Sequence, residues 1–179
     1  MAKGFGKFLE GLLGASGKDG GNSDKPFKVY APVSGCAAPI TSSADPAHQC
    51  EAVGKGICIM PQGGKIFAPF DGVVDMVFDT KHAIGLSAKA SFLSAPVELL
   101  IHCGIDTVKL NGKGFTVHVK DGDEVKKDSL LLEYDEGIIT GAGYSLETQV
   151  VVTNSGDFTK ITQAASGNVH AGDLVLCVE

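Results

Sequence analysis

The chain has 179 residues and a net charge of −6, with 24 glycines, 7 prolines and no tryptophan. A chain of this length is usually one domain and can bury a hydrophobic core. The negative charge argues against a general nucleic-acid-binding protein, because such proteins present a basic surface. The five cysteines are an odd number without a Cys-x-x-Cys pair, which argues against a zinc ribbon and for reduced thiols in a cytosolic protein.

Residues 1–13 have the pattern of an amphipathic helix. Large apolar residues recur there at the spacing of one helical face: Phe5, Phe8, Leu9, Leu12 and Leu13. Lys7 and Glu10 interrupt the apolar residues, so the segment is not typical of a cleaved signal peptide. Residues 14–24 are rich in Gly, Ser, Asp and Asn, which predicts a flexible linker. The pattern favours either a helix that binds a membrane surface or a partner, or a disordered tail.

From Lys28 onward the pattern changes to that of short β-strands. Brief apolar runs are separated by Gly, Pro, Asp and Asn, as around residues 57–60, 115–119 and 130–132. Helix is therefore expected only near the N-terminus and in brief turns. The sequence predicts an amphipathic segment with a linker over residues 1–27 and one β-domain over residues 28–179.

Two pairs of similar segments indicate internal repetition in that domain. Ala-Pro-x-x-Gly begins at Ala31 and again at Ala68, and the segment that begins at Val125 resembles the one that begins at Val169. Paired turns of this kind are typical of a β-sandwich built from repeated hammerhead-like halves. We therefore expect an all-β sandwich with internal repeats.

Two histidines follow largely apolar runs that are long enough to be buried strands. His102 follows residues 97–101 and precedes Gly104, and His82 lies upstream, after residues 73–78. A strand that ends in histidine places an imidazole at the rim of a packed sheet, where it can act as a functional group. If the two strands pair antiparallel, the rings meet. This predicts either a metal site or a nucleophile with its stabilising partner.

These segments resemble the glucose-type IIA domain of the bacterial phosphoenolpyruvate-dependent sugar phosphotransferase system. Residues 100–108 resemble its phosphorylated-histidine motif, residues 80–83 resemble its second-histidine motif, and both Ala-Pro-x-x-Gly turns match. The resemblance extends from Lys28 to the C-terminus. It implies an antiparallel β-sandwich of short curved strands, of the duplicated hybrid or barrel-sandwich type.

The resemblance implies a phosphoryl carrier, which is a protein-histidine phosphotransferase component that requires no cofactor. His102 would accept phosphate from a histidine phosphocarrier protein and pass it to the cysteine of a IIB domain of a sugar permease. His82 would orient the phosphoryl group, and Thr80 would position His82. Such an imidazole attacks in its neutral form, and the phosphoryl group it receives needs donors nearby. The protein would be cytoplasmic, or peripheral at the inner face of the membrane.

The family surrounds its histidines with an apolar docking surface and an acidic rim. The resemblance places six residues of this chain there: Phe78, Leu100, Cys103, His48, Asp45 and Asp106. Carboxylates at the rim suit the docking of a basic partner, although Asp106 could instead cap a turn. His48 stands where a phenylalanine is expected. The segment of residues 87–96 is longer than the family's turn, and we interpret it as an extended hairpin beside the active face.

Two other functions stay open. The spacing from His102 to Asp106 resembles half of the site in a zinc-dependent hydrolase of the lysostaphin-like peptidase type, but the His-x-His of those enzymes is missing from this sequence. A regulator that binds transporters or kinases through the same face is the second alternative, and it can coexist with a carrier. His82 and His102 could also bind zinc conditionally, if a partner's carboxylate, a chloride or a water completes the tetrahedron.

We expect residues 1–13 to bind anionic membranes weakly and reversibly. Each of the five apolar side chains contributes roughly 1.5–3 kcal/mol at full burial, and ordering a helix that contains Gly4 and Gly6 offsets a good part of this. Lys3 and Lys7 favour anionic lipid.

Such a segment would hold the carrier near a membrane-bound IIB partner. Deletion of residues 1–13 should leave phosphorylation of His102 in solution unchanged and slow transfer only to an acceptor in a membrane. Equal co-sedimentation of the full-length and truncated proteins with anionic vesicles would contradict the tether.

Overall fold

The computed structural model describes residues 25–179, so the expected helix at residues 1–13 and linker at residues 14–24 lie outside the described residues. The regular secondary structure of the described chain is mostly β-strand. The strands are β1 (Phe27–Tyr30), β2 (Gly35–Pro39), β3 (Lys55–Pro61), β4 (Lys65–Phe67), β5 (Gly72–Val77), β6 (Ala83–Ala88), β7 (Val97–Ile105), β8 (Phe115–Val117), β9 (Glu124–Val125), β10 (Leu130–Tyr134), β11 (Ser145–Val152), β12 (Ile161–Gln163), β13 (Gly167–Val169) and β14 (Leu174–Val178).

Within residues 25–179, helical structure is limited to short pieces between the strands. The α-helices are α1 (Pro46–Gln49) and α2 (Glu136–Gly141), and the 3-10 turns are Ile40–Ser42, Thr107–Leu110 and Ser155–Asp157. None of the helices in the described part of the chain is long and apolar enough to cross a bilayer. The prediction that this part of the chain contains helix only in brief turns is confirmed for residues 25–179.

The strands form one large antiparallel sheet and two small ones. The large sheet has the order β13-β2-β3-β11-β7-β6-β5-β9, and the small sheets have the orders β1-β14-β12 and β4-β10-β8. Every strand pair in the described chain is antiparallel. Strands β5, β6 and β7 follow one another in both sequence and space, whereas β11 inserts a distant segment between β3 and β7. The fold is the all-β sandwich of short strands that the sequence predicts.

The predicted repetition appears as two equivalent sets of backbone hydrogen bonds. Ala31 exchanges hydrogen bonds with residues 172–173, at 2.7 and 2.9 Å, and Ala68 exchanges them with residues 128–129, at 2.8 and 2.9 Å. In each copy, the alanine of the Ala-Pro-x-x-Gly turn is tied to the turn before a late strand, β14 or β10. The similar segments therefore make equivalent backbone hydrogen bonds, and internal duplication is confirmed.

Side chains along β7 alternate between the core and the outer face of the sheet. Val97, Leu99, Ile101 and Cys103 belong to the main buried cluster, in which all three sheets take part. The residues between them are only half-buried, because successive side chains of a strand point to opposite faces. His102 therefore lies on the outer face, with its strand anchored from behind by the core.

The histidines lie at one end of the β6–β7 pair. His102 is in the interior of β7, since the strand continues to Ile105, so the prediction that it ends the strand is wrong. It pairs with Ala83, the first residue of β6, and His82 directly precedes that residue. The expected antiparallel pairing of the two segments is confirmed.

The loop between β6 and β7 lies away from the histidines. It joins Ala88 to Val97, which pair at the opposite end of the hairpin from Ala83 and His102. At about 3.4 Å per residue, that end is roughly 17 Å along the strands. The interpretation of residues 87–96 as a hairpin beside the active face is therefore wrong.

Candidate functional site

The rings of His82 and His102 face each other across the β6–β7 pair. Their centroids are 4.8 Å apart and their planes are nearly perpendicular, at 88°. His82 is buried, with 4% of its surface exposed, and His102 is half-buried. The backbone N–H of Cys103 donates to the carbonyl of His82 at 2.8 Å, which fixes the turn that carries His82 against β7.

Thr80 contacts His82 as its expected role requires. The Thr80 hydroxyl oxygen lies 2.7 Å from Nδ1 of His82. When this hydroxyl donates, Nδ1 is the acceptor and the proton of the neutral ring is on Nε2. His82 can then offer an N–H to a group held between the two rings.

The surroundings of both rings favour the neutral imidazole. Burial, with a smaller contribution from neighbouring His102, lowers the pKa of His82 from 6.5 to about 4. Burial also lowers the pKa of His102, although a hydrogen bond with Gln149 opposes the shift. A neutral imidazole keeps a lone pair on one nitrogen, so His102 can act as a nucleophile near pH 7.

Gln149 and Glu147 belong to the site, and the sequence analysis did not find them. Gln149 is fully buried and pairs with His102 across the ladder of β11 and β7. Its Oε1 lies 3.0 Å from Nδ1 of His102, and its Nε2 donates to Glu147 Oε1 at 3.0 Å. The available signal was two polar residues, two positions apart, within a strand that ends in three valines.

His48 lies beneath the outer surface and beside His102, rather than at the rim where the resemblance places it. It is 4% exposed, and its ring centroid is 5.4 Å from that of His102. Asp45 and Pro46 begin helix α1, with the Asp45 carboxylate accepting from the N–H of Ala47 at 2.9 Å, and the short helix turns His48 inward.

The ring nitrogens of His48 have no hydrogen-bond partner among the described residues. Asp45 Oδ2 lies 3.2 Å from Nδ1 of His48. That distance is within the range of an ion pair, but its direction is not that of a hydrogen bond, so the polar nitrogens of His48 are poorly compensated.

Of the expected apolar docking residues, two border the histidine pair and one does not. The ring of Phe78 is half-buried with its centroid 5.6 Å from that of His82. Leu100 is half-buried on the same face of β7 as His102. Cys103 is 1% exposed and points into the main core, so its assignment to the docking surface is wrong.

The expected acidic rim includes one exposed and one half-buried carboxylate. The side chain of Asp106 is 57% exposed and pairs with Lys109 Nζ at 2.9 Å. Asp106 precedes the turn Thr107–Leu110, but its side chain accepts no capping hydrogen bond, so the alternative of a turn cap is not observed. Asp45 is half-buried because its carboxylate caps α1.

A hydrolytic metal centre finds no support in this geometry. A catalytic zinc usually takes three protein ligands with a fourth position open. Across residues 25–179, no group of three or more His, Cys, Asp or Glu side chains is arranged to hold a metal. His82 and His102 supply at most two ligands at the site.

Comparison with known proteins gives consistent matches. The family described as "phosphoenolpyruvate-dependent sugar phosphotransferase system, EIIA 1" matches residues 27–158. A beta-glucoside-specific EIIBCA component of such a system from Dickeya chrysanthemi is 43% identical over 143 residues, which cover 80% of this chain but only 22% of that protein. The structure of glucose permease IIA from Mycoplasma capricolum superposes with a TM-score of 0.77 at 30% identity, covering 86% of this chain and 96% of that one.

We expect the free energy of unfolding to fall as the pH is lowered from 6.5 to about 4, in part because of His82. The folded-state pKa of His82 is about 4, below the ordinary value of 6.5, so in this window the unfolded chain binds a proton that the folded chain excludes. The contribution of His82 to the free energy of unfolding is fully present above pH 6.5, its ordinary pKa. The loss is at most about 1.4 kcal/mol per pH unit, and solvent screening reduces it.

Denaturant unfolding of the parent and of His82→Gln at pH 7 and pH 5 measures this contribution. The parent should lose more stability than the variant between the two values. An equal loss in both proteins would show that His82 is not the group responsible.

Proposed function

The chain belongs to the EIIA 1 family of the phosphoenolpyruvate-dependent sugar phosphotransferase system, and we propose that His102 is the residue that carries its phosphoryl group. As a member of this family the chain is a phosphotransferase component that carries phosphoryl groups in sugar uptake. One observation above all supports the residue: Nδ1 of His102 is held by Gln149, which leaves Nε2 as the nitrogen available to phosphorus, and the ring of His82 lies 4.8 Å away, centroid to centroid. The alternative of a zinc-dependent hydrolase has no support.

The proposed transfer uses the neutral imidazole of His102. With Nδ1–H donating to Gln149 Oε1, the Nε2 lone pair attacks phosphorus while the N–P bond in the donor phosphohistidine breaks. Nε2–H of His82 donates to an oxygen of the migrating phosphoryl group, and the hydroxyl of Thr80 keeps that proton on Nε2. On the second transfer, the same N–P bond breaks in favour of the next nucleophile.

We propose that the donor is a histidine phosphocarrier protein and that the acceptor is the cysteine of a IIB domain. The Dickeya relative is named as a single EIIBCA component, which supports a IIB domain as the acceptor. Phe78 and Leu100 offer half-buried apolar surface beside the histidines. Asp106 adds an exposed carboxylate that suits a basic partner. Transporters or kinases that bind the same face would compete with phosphoryl transfer. The phosphoryl transfer would take place in the cytoplasm.

We also propose that the histidine pair binds zinc when a partner supplies further ligands. Two facing imidazoles offer two nitrogens, and a partner's carboxylate with a chloride or water would complete a tetrahedron. Phosphorylation of His102 should abolish this binding, because the ligand nitrogen is then occupied. Calorimetric titration with Zn²⁺ in the presence of the partner, before and after phosphorylation, checks this. Binding that is indifferent to phosphorylation would place the metal elsewhere.

His102→Gln should abolish phosphate uptake and leave the fold intact, because glutamine has no nucleophilic nitrogen and the position is half-buried. The assay mixes the protein with phosphoenolpyruvate, the general enzyme of the system and its histidine carrier. It then measures acid-labile protein-bound phosphate. Uptake by the variant at the parent level would refute the assignment.

The matched variant is His82→Gln, which should accept phosphate but pass it on poorly. The amide can donate one hydrogen bond to the phosphoryl group but cannot respond as an imidazole does when charge leaves. Loss of such a donor typically costs about 2.7–4 kcal/mol in the transition state. Unchanged transfer to a IIB cysteine would exclude this role for His82.

A further inference from the structure

We propose that Gln149 and Glu147 are positioning residues that hold His102 in the tautomer with a free Nε2, Glu147 acting by orienting the amide of Gln149. This inference rests on the proposed function, in which His102 accepts the phosphoryl group. Neither residue touches the migrating group. Their effect passes through one hydrogen bond, between Gln149 Oε1 and Nδ1 of His102, at 3.0 Å.

The strand pairing places Gln149 where it can act on His102. The two residues are directly paired between β11 and β7, so their side chains leave the same face of the sheet. Gln149 is fully buried, so bulk solvent does not reach its amide. A buried amide of this kind stays in place only if its donors and acceptors are satisfied.

Glu147 determines which end of the amide faces His102. An amide can present either its oxygen or its NH2 group to the ring. An ionised carboxylate has only acceptors, so the NH2 group of Gln149 donates to Glu147 Oε1, at 3.0 Å, and the oxygen must point toward His102. A carboxylate thus specifies a carbonyl oxygen at Nδ1 of the ring.

The carboxylate of Glu147 is itself held by donors from the loop before α1. The hydroxyl of Ser43 donates to Oε1 of Glu147, and the N–H of Ala44 donates to the same atom at 3.2 Å. Ser43 is 1% exposed and Glu147 is 8% exposed. Ser43, Ala44 and the amide of Gln149 each donate to Oε1 of Glu147, so hydrogen bonds link the loop through Glu147 and Gln149 to His102.

The consequence for the reaction is the choice of the attacking nitrogen. The oxygen of Gln149 can only accept, so Nδ1 of the neutral ring carries the proton and Nε2 carries the lone pair. Without this constraint a neutral imidazole can place its proton on either nitrogen. Molecules with the proton on Nε2 cannot attack phosphorus from that atom.

The test compares three variants with the parent. Glu147→Gln keeps the size of the side chain but offers the neighbouring amide both donors and acceptors. Gln149→Leu removes the acceptor from Nδ1. Thr148→Val is the matched control, because Thr148 is a fully buried polar residue on the same strand and lies between the two positions. Thermal unfolding confirms that each variant is folded, and Glu147→Gln carries the test alone if Gln149→Leu is not.

Two measurements are made on each folded protein. Nitrogen-15 NMR of the imidazoles should show His102 protonated on Nδ1 in the parent and Thr148→Val, and a shift toward Nε2 in Glu147→Gln and Gln149→Leu. The single-turnover rate of phosphate uptake should fall by roughly 10- to 100-fold in those two variants, as expected for one lost oriented hydrogen bond. The apparent affinity for the phosphocarrier should not change, because both side chains are buried.

The proposal requires both changes. A parent-like tautomer in Glu147→Gln and Gln149→Leu, or a parent-like rate despite an altered tautomer, would overturn it. Failure of the proposed function looks different, because the parent itself would then take up no phosphate on His102. In that case the tautomers in the same samples still decide whether Glu147 and Gln149 orient the ring.

Discussion

The site depends on the antiparallel pairing of β7 with a neighbour on each side. Pairing with β6 brings His82 next to His102, and pairing with β11 places Gln149 against the other edge of the same ring. Because side-chain direction alternates along a strand, a slip of one residue in β7 would bury His102 and expose Cys103. The apolar residues of β7 that pack into the core prevent such a slip. Ordinary core packing therefore fixes the geometry of the histidine pair.

Burial and hydrogen bonding act on the two histidines in a complementary way. Burial favours the neutral form of both rings, which a nucleophile and a neutral N–H donor need. In the proposed mechanism, hydrogen bonds then select the nitrogen that carries the proton: Thr80 for His82, and Gln149 for His102. A lowered pKa alone would keep both rings neutral but would not select which nitrogen carries the proton.

The polar groups behind His102 make this arrangement costly. Glu147 and Gln149 are buried but have their hydrogen bonds made within the network. His48 is buried without such partners among the described residues, and an unsatisfied buried polar group costs about 1–3 kcal/mol. The surroundings of His102 therefore combine a hydrogen-bonded polar network with a poorly satisfied imidazole, that of His48. The core of the three sheets must offset that cost.

The sequence by itself determined the elements whose signal is local. Short apolar runs separated by glycine-rich turns predicted the β-fold, and repeated turns predicted the duplication. Positions after apolar runs, together with a family resemblance, predicted the histidine pair and Thr80. The tertiary structure alone decided what depends on contacts between distant segments. The inward placement of His48 and Cys103, the remote loop between β6 and β7, and the relay through Glu147 and Gln149 follow from strand register and from the path of α1. No local pattern encodes a partner that lies 47 residues away, as Gln149 does from His102.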